Sequence, residues 1–534
     1  MSDVRVIHAD SAMVGGHFLA VTPSEIFCPE DFAADEKLMI QTAEQFSRNE
    51  VLPLAERLDK QEDGLMPELI RKAGELGFCG IDTPEEAGGL GLSKNLAARI
   101  LEFLSLNASF SVTVGITSGI SQVGVALFGN AEQQQKYLPK LVMGEEIGAY
   151  CLSEPNSGSD ALSMSTKAEF VGDHYVLNGT KMWISNAKWA QQFLVMAKVN
   201  DKVTAFLVER DFPGVSISRE EHKMGLKGSS TARVVLEDAR VPRENLIWEE
   251  GKGHYIAFNA LNLGRFKLSS MSIGPAREAI GCGLQYALDR KQFGQALFDF
   301  GLIKKKLVES AARYYVAESM IYRTGALIDS AFDHCKTLDT DPISRNRLAA
   351  EEYAIECSAC KVFATEVEAF IVDEMLQIFG GYGFTEEFPL ARIYRDARIS
   401  RIYEGTNEIN RLFLADRLLR RVKEGKSSLN YSGDSFVNDL AGRALNLCLP
   451  DWGQVKMAAL SDLLMLAYAH QSSALRAAKY PKFADLHHCA SNWINAEAAV
   501  AFGTATGQSV TIPAPFEVDY NGISEAIAAA KGPL

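Results

Sequence analysis

Apolar residues recur at three- and four-residue spacing from about Pro29 to Leu141, as in "DEKLMIQTAEQFSRNEVLPLAERL", and this period predicts helices. The run "PELIRKAGELGF" opens on proline and ends before a glycine, as helices do, and "DTPEEAGGLGLS" interrupts the pattern as a loop. Between about 150 and 245 the texture changes to short β-rich runs. "KAEFVGDHYVLNG" predicts a hairpin around Gly172 and Asp173, followed by strands in "QFLVMAKV", "VTAFLVER", "VSIS" and "TARVVLE". Long helical patterns return from about 252 to 425, with 331–346 predicted as the turn between two of them. Past about 430 the chain is polar near "NYSGDSF", helical from about Val455 to Ala501, and ends in a weakly patterned tail. The predicted segments are a 1–31 extension, a 32–148 helical domain, a 149–250 β domain, a 251–425 helical bundle and a 426–534 helical appendix. This order is not a βαβ alternation and disfavours a doubly wound nucleotide fold. "GGLGL" lacks the G-x-G-x-x-G spacing and "GGYG" at 380–383 follows a helix, so neither supports a nicotinamide fingerprint.

At 534 residues and 47% hydrophobic content, two to four domains with ordinary buried cores are expected. No 18-residue apolar run stands out, and "AALSDLLMLAYAH" suits a buried helix better than a membrane span. The net charge of -14 opposes binding to nucleic acid. The first residues carry neither signal nor transit character, which predicts a cytoplasmic address. Nine cysteines, odd in number and irregularly spaced, fit reduced thiols. Cys357 and Cys360 fall in a run of helix formers and are read as buried thiols. His487, His488 and Cys489 are adjacent and point different ways on a helix, so no metal site is predicted.

Four stretches have compositions unusual for their elements. "YCLSEPNSGSD", Tyr150–Asp160, leaves backbone N–H groups approachable as an anion-binding loop needs, although an ordinary interdomain loop has the same composition. "KMWISNA", Lys181–Ala187, sets an aromatic among short polar residues after a strand, or closes the β domain with a core tryptophan. In "DRKQFGQALFDFGLI", Arg290 and Lys291 end a helix before Gly294, where basic residues also satisfy the helix dipole. "QIFGGYGFTEEFPLARIYRDARISRIYEGTNEINR", Gln377–Arg411, joins a glycine cluster, a dense Arg/Asp run and a glutamate beside glycine; clustered glycines mark close backbone approach.

Taken together, in this order and spacing, "SEPNSGSD", "WISN", "RKQFG", "QIFGGYGF" and "YEGTNEI" resemble the acyl-CoA dehydrogenase family from about Phe32 to about Arg421. Through "LNLGRF" and "FGLIKKKL" the look is closest to the very-long-chain branch. The resemblance implies a mainly α fold with a central β domain: an N-terminal helical domain, a middle β-barrel and a C-terminal four-helix bundle, here with a C-terminal helical extension. It implies FAD as cofactor. Tyr150, Leu152, Ser153, Gly158 and Ser159 would line the flavin and its pyrophosphate, and Trp183, Ile184 and Ser185 its other flank. Arg290 and Phe293, with Gln377, Gly380 and Gly381 of an adjoining subunit, would hold the adenine half, and Thr406 and Glu408 would meet FAD beyond the active-site turn. Ser159, Asn262, Arg265 and Gly405 would contact the substrate.

The family's reaction removes the α-proton of a fatty acyl thioester while the β-hydrogen leaves as hydride. The resemblance makes Glu404 the base; some relatives place the base at a position that here is Gly264, which cannot act. It further implies trans-2-enoyl-CoA as the product, a place in fatty acid β-oxidation, transfer of electrons to electron-transferring flavoprotein, and a homo-dimer or homo-tetramer. Membrane association is left open. An acyl-CoA oxidase using oxygen and a non-catalytic scaffold on the same fold are the alternatives. The small residues of "VGITSGISQVG", Val114–Gly124, could leave a deep acyl tunnel or could serve helix packing.

Overall fold

The computed structural model describes residues 13–20, 23–427, 435–448 and 451–533. The first twelve residues and the polar run at 430–434 lie outside these. The chain divides into two compact units, one of Ala33–Gly274 with Leu338–Glu351, the other of Met1–Phe32, Pro275–Thr337 and Glu352–Leu534.

The first unit opens with helices α1 (Ala34–Phe46), α2 (Leu65–Glu75), α3 (Lys94–Leu104), α4 (Ala108–Gly115), α5 (Gln122–Phe128) and α6 (Ala131–Val142). Their starts follow local chemistry. Ser93, Asn107 and Asn130 each accept a backbone N–H at the N-cap, and Gln133 completes a capping box with Asn130. Between α4 and α5, Ile116–Ser121 is a π-helical turn with Gly119 at φ -113, ψ -108. Ala108–Phe128 is therefore long and apolar enough to cross a membrane, contrary to the sequence reading, but most of it is buried inside the unit as a core helix.

The β region follows: β1 (Gly148–Cys151), β2 (Lys167–Val171), β3 (His174–Ser185), β4 (Gln192–Val199), β5 (Lys202–Glu209), β6 (Val215–Ile217), β7 (Thr231–Pro242) and β8 (Leu246–Ile247). They form one sheet in the order β6-β7-β3-β2-β4-β5-β8, with β1 parallel to β4. The predicted hairpin is present, Val171 facing His174 across Gly172 at φ +65. Alternate residues of β3, β4, β5 and β7, including Leu177, Phe193, Val195, Phe206, Val234 and Val241, form the sheet's core.

The second unit is helical. It contains the second half of α7 (Gly253–Asp289), a two-residue-strand hairpin of β9 (Lys291–Gln292) and β10 (Gln295–Ala296), and α8 (Gly301–Lys336). After α9 (Pro342–Glu352) come α10 (Ala354–Phe379), α11 (Pro389–Ala397) and α12 (Asn407–Lys423). The appendix is α13 (Phe436–Leu447), α14 (Gln454–Lys479), α15 (Ala484–Thr506) and α16 (Tyr520–Ala530), of which α14 packs on α8, α12, α13 and α15. The turn expected at 331–346 is shorter, since α8 runs on to Lys336. The helix expected from Val455 to Ala501 is two, broken at Pro481, which lacks the N–H a continuous helix needs.

The N-terminal segment lies along this unit. Gly15 donates its N–H to Glu352 Oε1 (2.8 Å) and Gly16 to Glu356 Oε1 (2.6 Å), so close that a Cβ on Gly15 would sit 2.0 Å from the Glu352 carbonyl oxygen. Gln471 donates to the Phe18 carbonyl. Arg476, fully buried, pairs with Glu30 at 2.6 Å and with buried Glu318 at 3.0 Å. Arg476→Ala is expected to cost about 3–5 kcal/mol of stability, because it removes the cation balancing a buried carboxylate. Arg420→Ala, in an exposed pair with Asp416, should cost under about 0.5 kcal/mol. Chemical unfolding of both variants against the parent measures the difference.

Candidate active site

In the first unit, β1 leads into the Tyr150–Asp160 loop, whose carboxylate Glu154 turns inward. Glu154 accepts from Lys181 Nζ (2.7 Å), the Ser165 N–H and hydroxyl (2.6 and 2.7 Å) and the Thr166 N–H (3.0 Å). Lys181 is fully buried and also donates to the Leu152 carbonyl (3.3 Å), while Met182 N–H donates to the Ser153 carbonyl (2.8 Å). A buried ion pair thus ties the "SEPNSGSD" loop to the "KMWISN" strand. Burial raises the Glu154 carboxyl, but the Lys181 charge and the bonds from Lys181, Thr166 and Ser165 outweigh it and hold it at about 2.

Just past Lys181 the β3–β7 register shifts, and on this bulge Trp183 takes φ +61 with its indole 56% exposed. The core-tryptophan reading is thereby set aside. Ile184 is buried and Ser185 half-buried beside it. Asn186, also at positive φ, anchors the bulge by donating to the Gly148 carbonyl (2.9 Å) and the Thr113 carbonyl (3.2 Å). Leu152 is buried, Tyr150 and Ser153 are half-buried, and Gly158 and Ser159 are exposed. A broad indole face held outward by strained backbone, beside a loop of small hydroxyl residues, fits a planar aromatic ring with an anionic tail.

On α7, Asn262 and Arg265 are both buried and bonded to each other, Arg265 Nη1 to Asn262 Oδ1 at 3.2 Å. Gly264 between them is buried. The small residues at 114–124 are explained largely by packing: a Cβ on Gly115 would lie 2.8 Å from Met271 Sδ and one on Gly124 2.4 Å from Leu194 Cδ2. Only at Gly119 is the neighbour, Lys267, at ordinary contact distance.

The second unit holds two separate groups. Arg290, Gln377, Gly380 and Gly381 are exposed, and Arg290 stacks over the Tyr382 ring at 5.8 Å. Gly380 ends α10 at φ +57, ψ -134, a conformation only glycine adopts readily. Phe293, at the hairpin tip with φ +53, is 95% exposed. A Cβ at Gly380 or Gly381 would meet no other atom within 4 Å. Packing inside this chain does not demand glycine there, and the open backbone suits a bound group.

The other group is the turn before α12. Glu404 (φ +55) and Gly405 (φ +81) are consecutive left-handed residues, and Glu404 is half-buried. Lys361 of α10, fully buried, donates to the Gly405 carbonyl (2.9 Å) and to Asn407 Oδ1 (2.8 Å). Asn410 Nδ2 reaches the carbonyls of Glu404 (3.3 Å), Gly405 (2.7 Å) and Thr406 (3.1 Å). Thr406 caps α12 through the Ile409 N–H, and exposed Glu408, in the first turn, has its carboxyl lowered by its own backbone N–H and Thr406. Both residues therefore have a capping role. The Tyr403 phenol is pushed well up by burial and by the carboxylates of Glu368, Glu404 and Asp396, which places Glu404 in an acidic neighbourhood. Along α10, Lys361 and Gln377 are about 24 Å apart, so the two groups occupy different places on the helix. Among the described residues no cluster of three metal-ligating side chains occurs.

Sequence reasoning missed Glu154, Lys181, Asn186, Lys361 and Asn410. The lone lysine in the apolar run "CSACKVFATEV" was the signal available for one of them.

Three family descriptions match in order: "Acyl-CoA dehydrogenase, N-terminal domain" over 33–145, "Acyl-CoA dehydrogenase, middle domain" over 149–239 and "Acyl-CoA dehydrogenase, C-terminal domain" over 251–419. A probable acyl-CoA dehydrogenase of Bacillus subtilis is 45% identical over 434 residues, covering 80% of this chain and 73% of that protein. The human very-long-chain specific acyl-CoA dehydrogenase, mitochondrial, is 40% identical over 70% of this chain, and the match spans 56% of its length. The crystal structure of an acyl-CoA dehydrogenase complexed with FAD from Bacillus anthracis superposes with TM-score 0.89 at 38% identity, covering 97% of this chain and 99% of that one. The shared architecture therefore includes the appended helices.

Lys181→Met is expected to destabilise by about 3–5 kcal/mol at neutral pH, since Glu154 loses its cation. In the parent, the folded Glu154 value lies below the unfolded one of 4.5, so its contribution is present above that pH and lost as pH falls toward about 2. In the variant the carboxylate is left buried without its cation and is relieved by protonation, so the penalty should shrink between pH 7 and pH 5. Urea unfolding at the two pH values reads this.

Proposed function

We propose that this chain, which belongs to the acyl-CoA dehydrogenase family, is an FAD-dependent enzyme that converts a long-chain fatty acyl-CoA to trans-2-enoyl-CoA, with Glu404 as the base. The observation that carries the assignment is the strained Glu404–Gly405 turn, gripped by Lys361 and Asn410. Nothing in the packing of a surface turn calls for a non-glycine residue at φ +55; a turn that must present one carboxylate does.

FAD, when bound, supplies the acceptor for the β-hydrogen. Trp183 and the Leu152–Ser153 backbone would flank its ring, Ser159 and Gly158 would lie near its phosphates, and Arg290 and Phe293, with Gln377, Gly380 and Gly381 of an adjoining subunit, would hold its adenine half. The α-carbon of a thioester is a weak acid, so its carbonyl must be polarised to stabilise the enolate-like charge, and the base must remove the α-proton from a fixed position. Proton transfer to the Glu404 carboxylate needs the α-carbon at roughly 3–3.5 Å, and a clamped turn holds the base there without cost at the moment of reaction. Arg265, locked by Asn262, is set to orient the CoA portion.

Likeness to the human very-long-chain specific relative supports a long acyl substrate; a place in fatty acid β-oxidation and electron-transferring flavoprotein as the electron acceptor are what the resemblance to the family implies. A homo-dimer or homo-tetramer follows from the sharing of FAD between subunits that the resemblance to the family implies.

Glu404→Gln should retain FAD and slow flavin reduction by acyl-CoA by roughly 10²- to 10⁴-fold; reduction at the parent rate in stopped-flow would remove Glu404 from the role. Parent enzyme should turn over palmitoyl-CoA faster than butyryl-CoA, and the reverse order in steady-state assays would contradict the long-chain reading.

A further inference from the structure

We infer that the appended helix α14 helps position the base-bearing turn, with Asp462 and Ser461 acting through Arg411. The inference rests on Glu404 being the base.

Arg411 lies one turn into α12, immediately behind the Glu404–Thr406 turn, and every edge of its guanidinium is occupied. Nη1 and Nη2 donate to the two oxygens of Glu366 on α10 (2.7 and 2.9 Å), and Nε donates to Asp462 Oδ1 on α14 (2.7 Å). The Ser461 hydroxyl donates to the Arg411 carbonyl, so α14 holds both the backbone and the side chain of this residue. Glu366 also accepts from Asn407 Nδ2 (3.1 Å), and Asn407 Oδ1 accepts from Lys361, which donates to the Gly405 carbonyl. A continuous series of charge-assisted bonds therefore runs from Asp462 through Arg411, Glu366, Asn407 and Lys361 to the carbonyl next to Glu404.

Each link constrains the next. A planar guanidinium bound bidentately on one side and at Nε on another has no rotational freedom left. Without Asp462, Arg411 can tilt about its Glu366 contact, and Glu366 carries the displacement to Asn407 and Lys361. Glu404 has little intrinsic preference for its left-handed conformation, so the turn is held from outside, by Asn410 on α12 and by Lys361 at the end of this series. Arg411 and Asp462 are positioning residues; neither is placed against substrate or flavin.

The alternative is that Asp462 only anchors α14, and holoenzyme kinetics separate the two. Asp462→Asn, which keeps the side chain's shape, and Asp462→Ala are compared with the parent in anaerobic stopped-flow flavin reduction by palmitoyl-CoA. Bound FAD is checked by visible absorbance. The expected result is a rate constant for flavin reduction lowered roughly 10- to 100-fold, with full FAD content and an acyl-CoA dissociation constant within about threefold of the parent. Asp462→Glu should recover most of the rate. The double variant Asp462→Asn with Arg411→Lys should be no slower than Arg411→Lys alone, as expected of residues acting in one series. A lowered melting temperature with an unchanged reduction rate in Asp462→Asn would overturn the inference, and that variant decides the matter if Asp462→Ala does not fold. Glu404→Gln run in parallel keeps the two readings apart. Parent-like reduction there defeats the base assignment itself, whereas an inert Glu404→Gln beside a normal Asp462→Asn defeats only the role of α14.

Discussion

The site depends on a buried ammonium group holding a carbonyl. Lys361 stands fully buried on α10, and its contact with Gly405 at 2.9 Å fixes the backbone of a turn whose conformation is unfavourable for a residue such as Glu404. Left-handed strain of this kind costs on the order of 1–3 kcal/mol and persists only where the surroundings over-determine it. Asn410, bonded to three successive carbonyls of the same turn, completes the constraint. The second unit's packing follows: α10 must be buried to carry Lys361 inward, and α12 must start at Asn407 to bring Asn407 and Asn410 beneath the turn.

The first unit solves an analogous problem with different residues. There the Glu154–Lys181 pair joins a loop to a bulged strand, and Asn186 fixes the far side of the bulge. In both units the residue proposed to meet a ligand is conformationally costly, exposed Trp183 in one and half-buried Glu404 in the other. The groups that enforce those conformations are buried polar side chains bonded to backbone carbonyls.

Much of this was legible in the sequence because it is local. The hairpin at Gly172 follows from alternation and a turn residue, and Cys357 and Cys360 are the buried thiols their helical context predicted. What was not legible depends on residues far apart in the chain. The contacts of Lys361 lie more than forty residues away, and those of Arg476 reach back to Glu30. Two helices of the appendix, α13 and α16, are short, and their patterns are too brief to stand out from the surrounding polar sequence. The small residues at 114–124 show the limit of composition: they admitted a tunnel and close packing equally, and contacts with Met271 and Leu194 account for Gly115 and Gly124 by packing.

The central claim, that the chain carries a working flavin site served by a fixed base, is tested most directly on the unaltered protein. Purified holoenzyme is titrated anaerobically with saturated acyl-CoA while its visible flavin absorbance is followed and the CoA products are separated. The account predicts that the yellow colour is lost in proportion to acyl-CoA added, with trans-2-enoyl-CoA formed in equal amount. Unchanged absorbance across all chain lengths in a protein that retains FAD would contradict it.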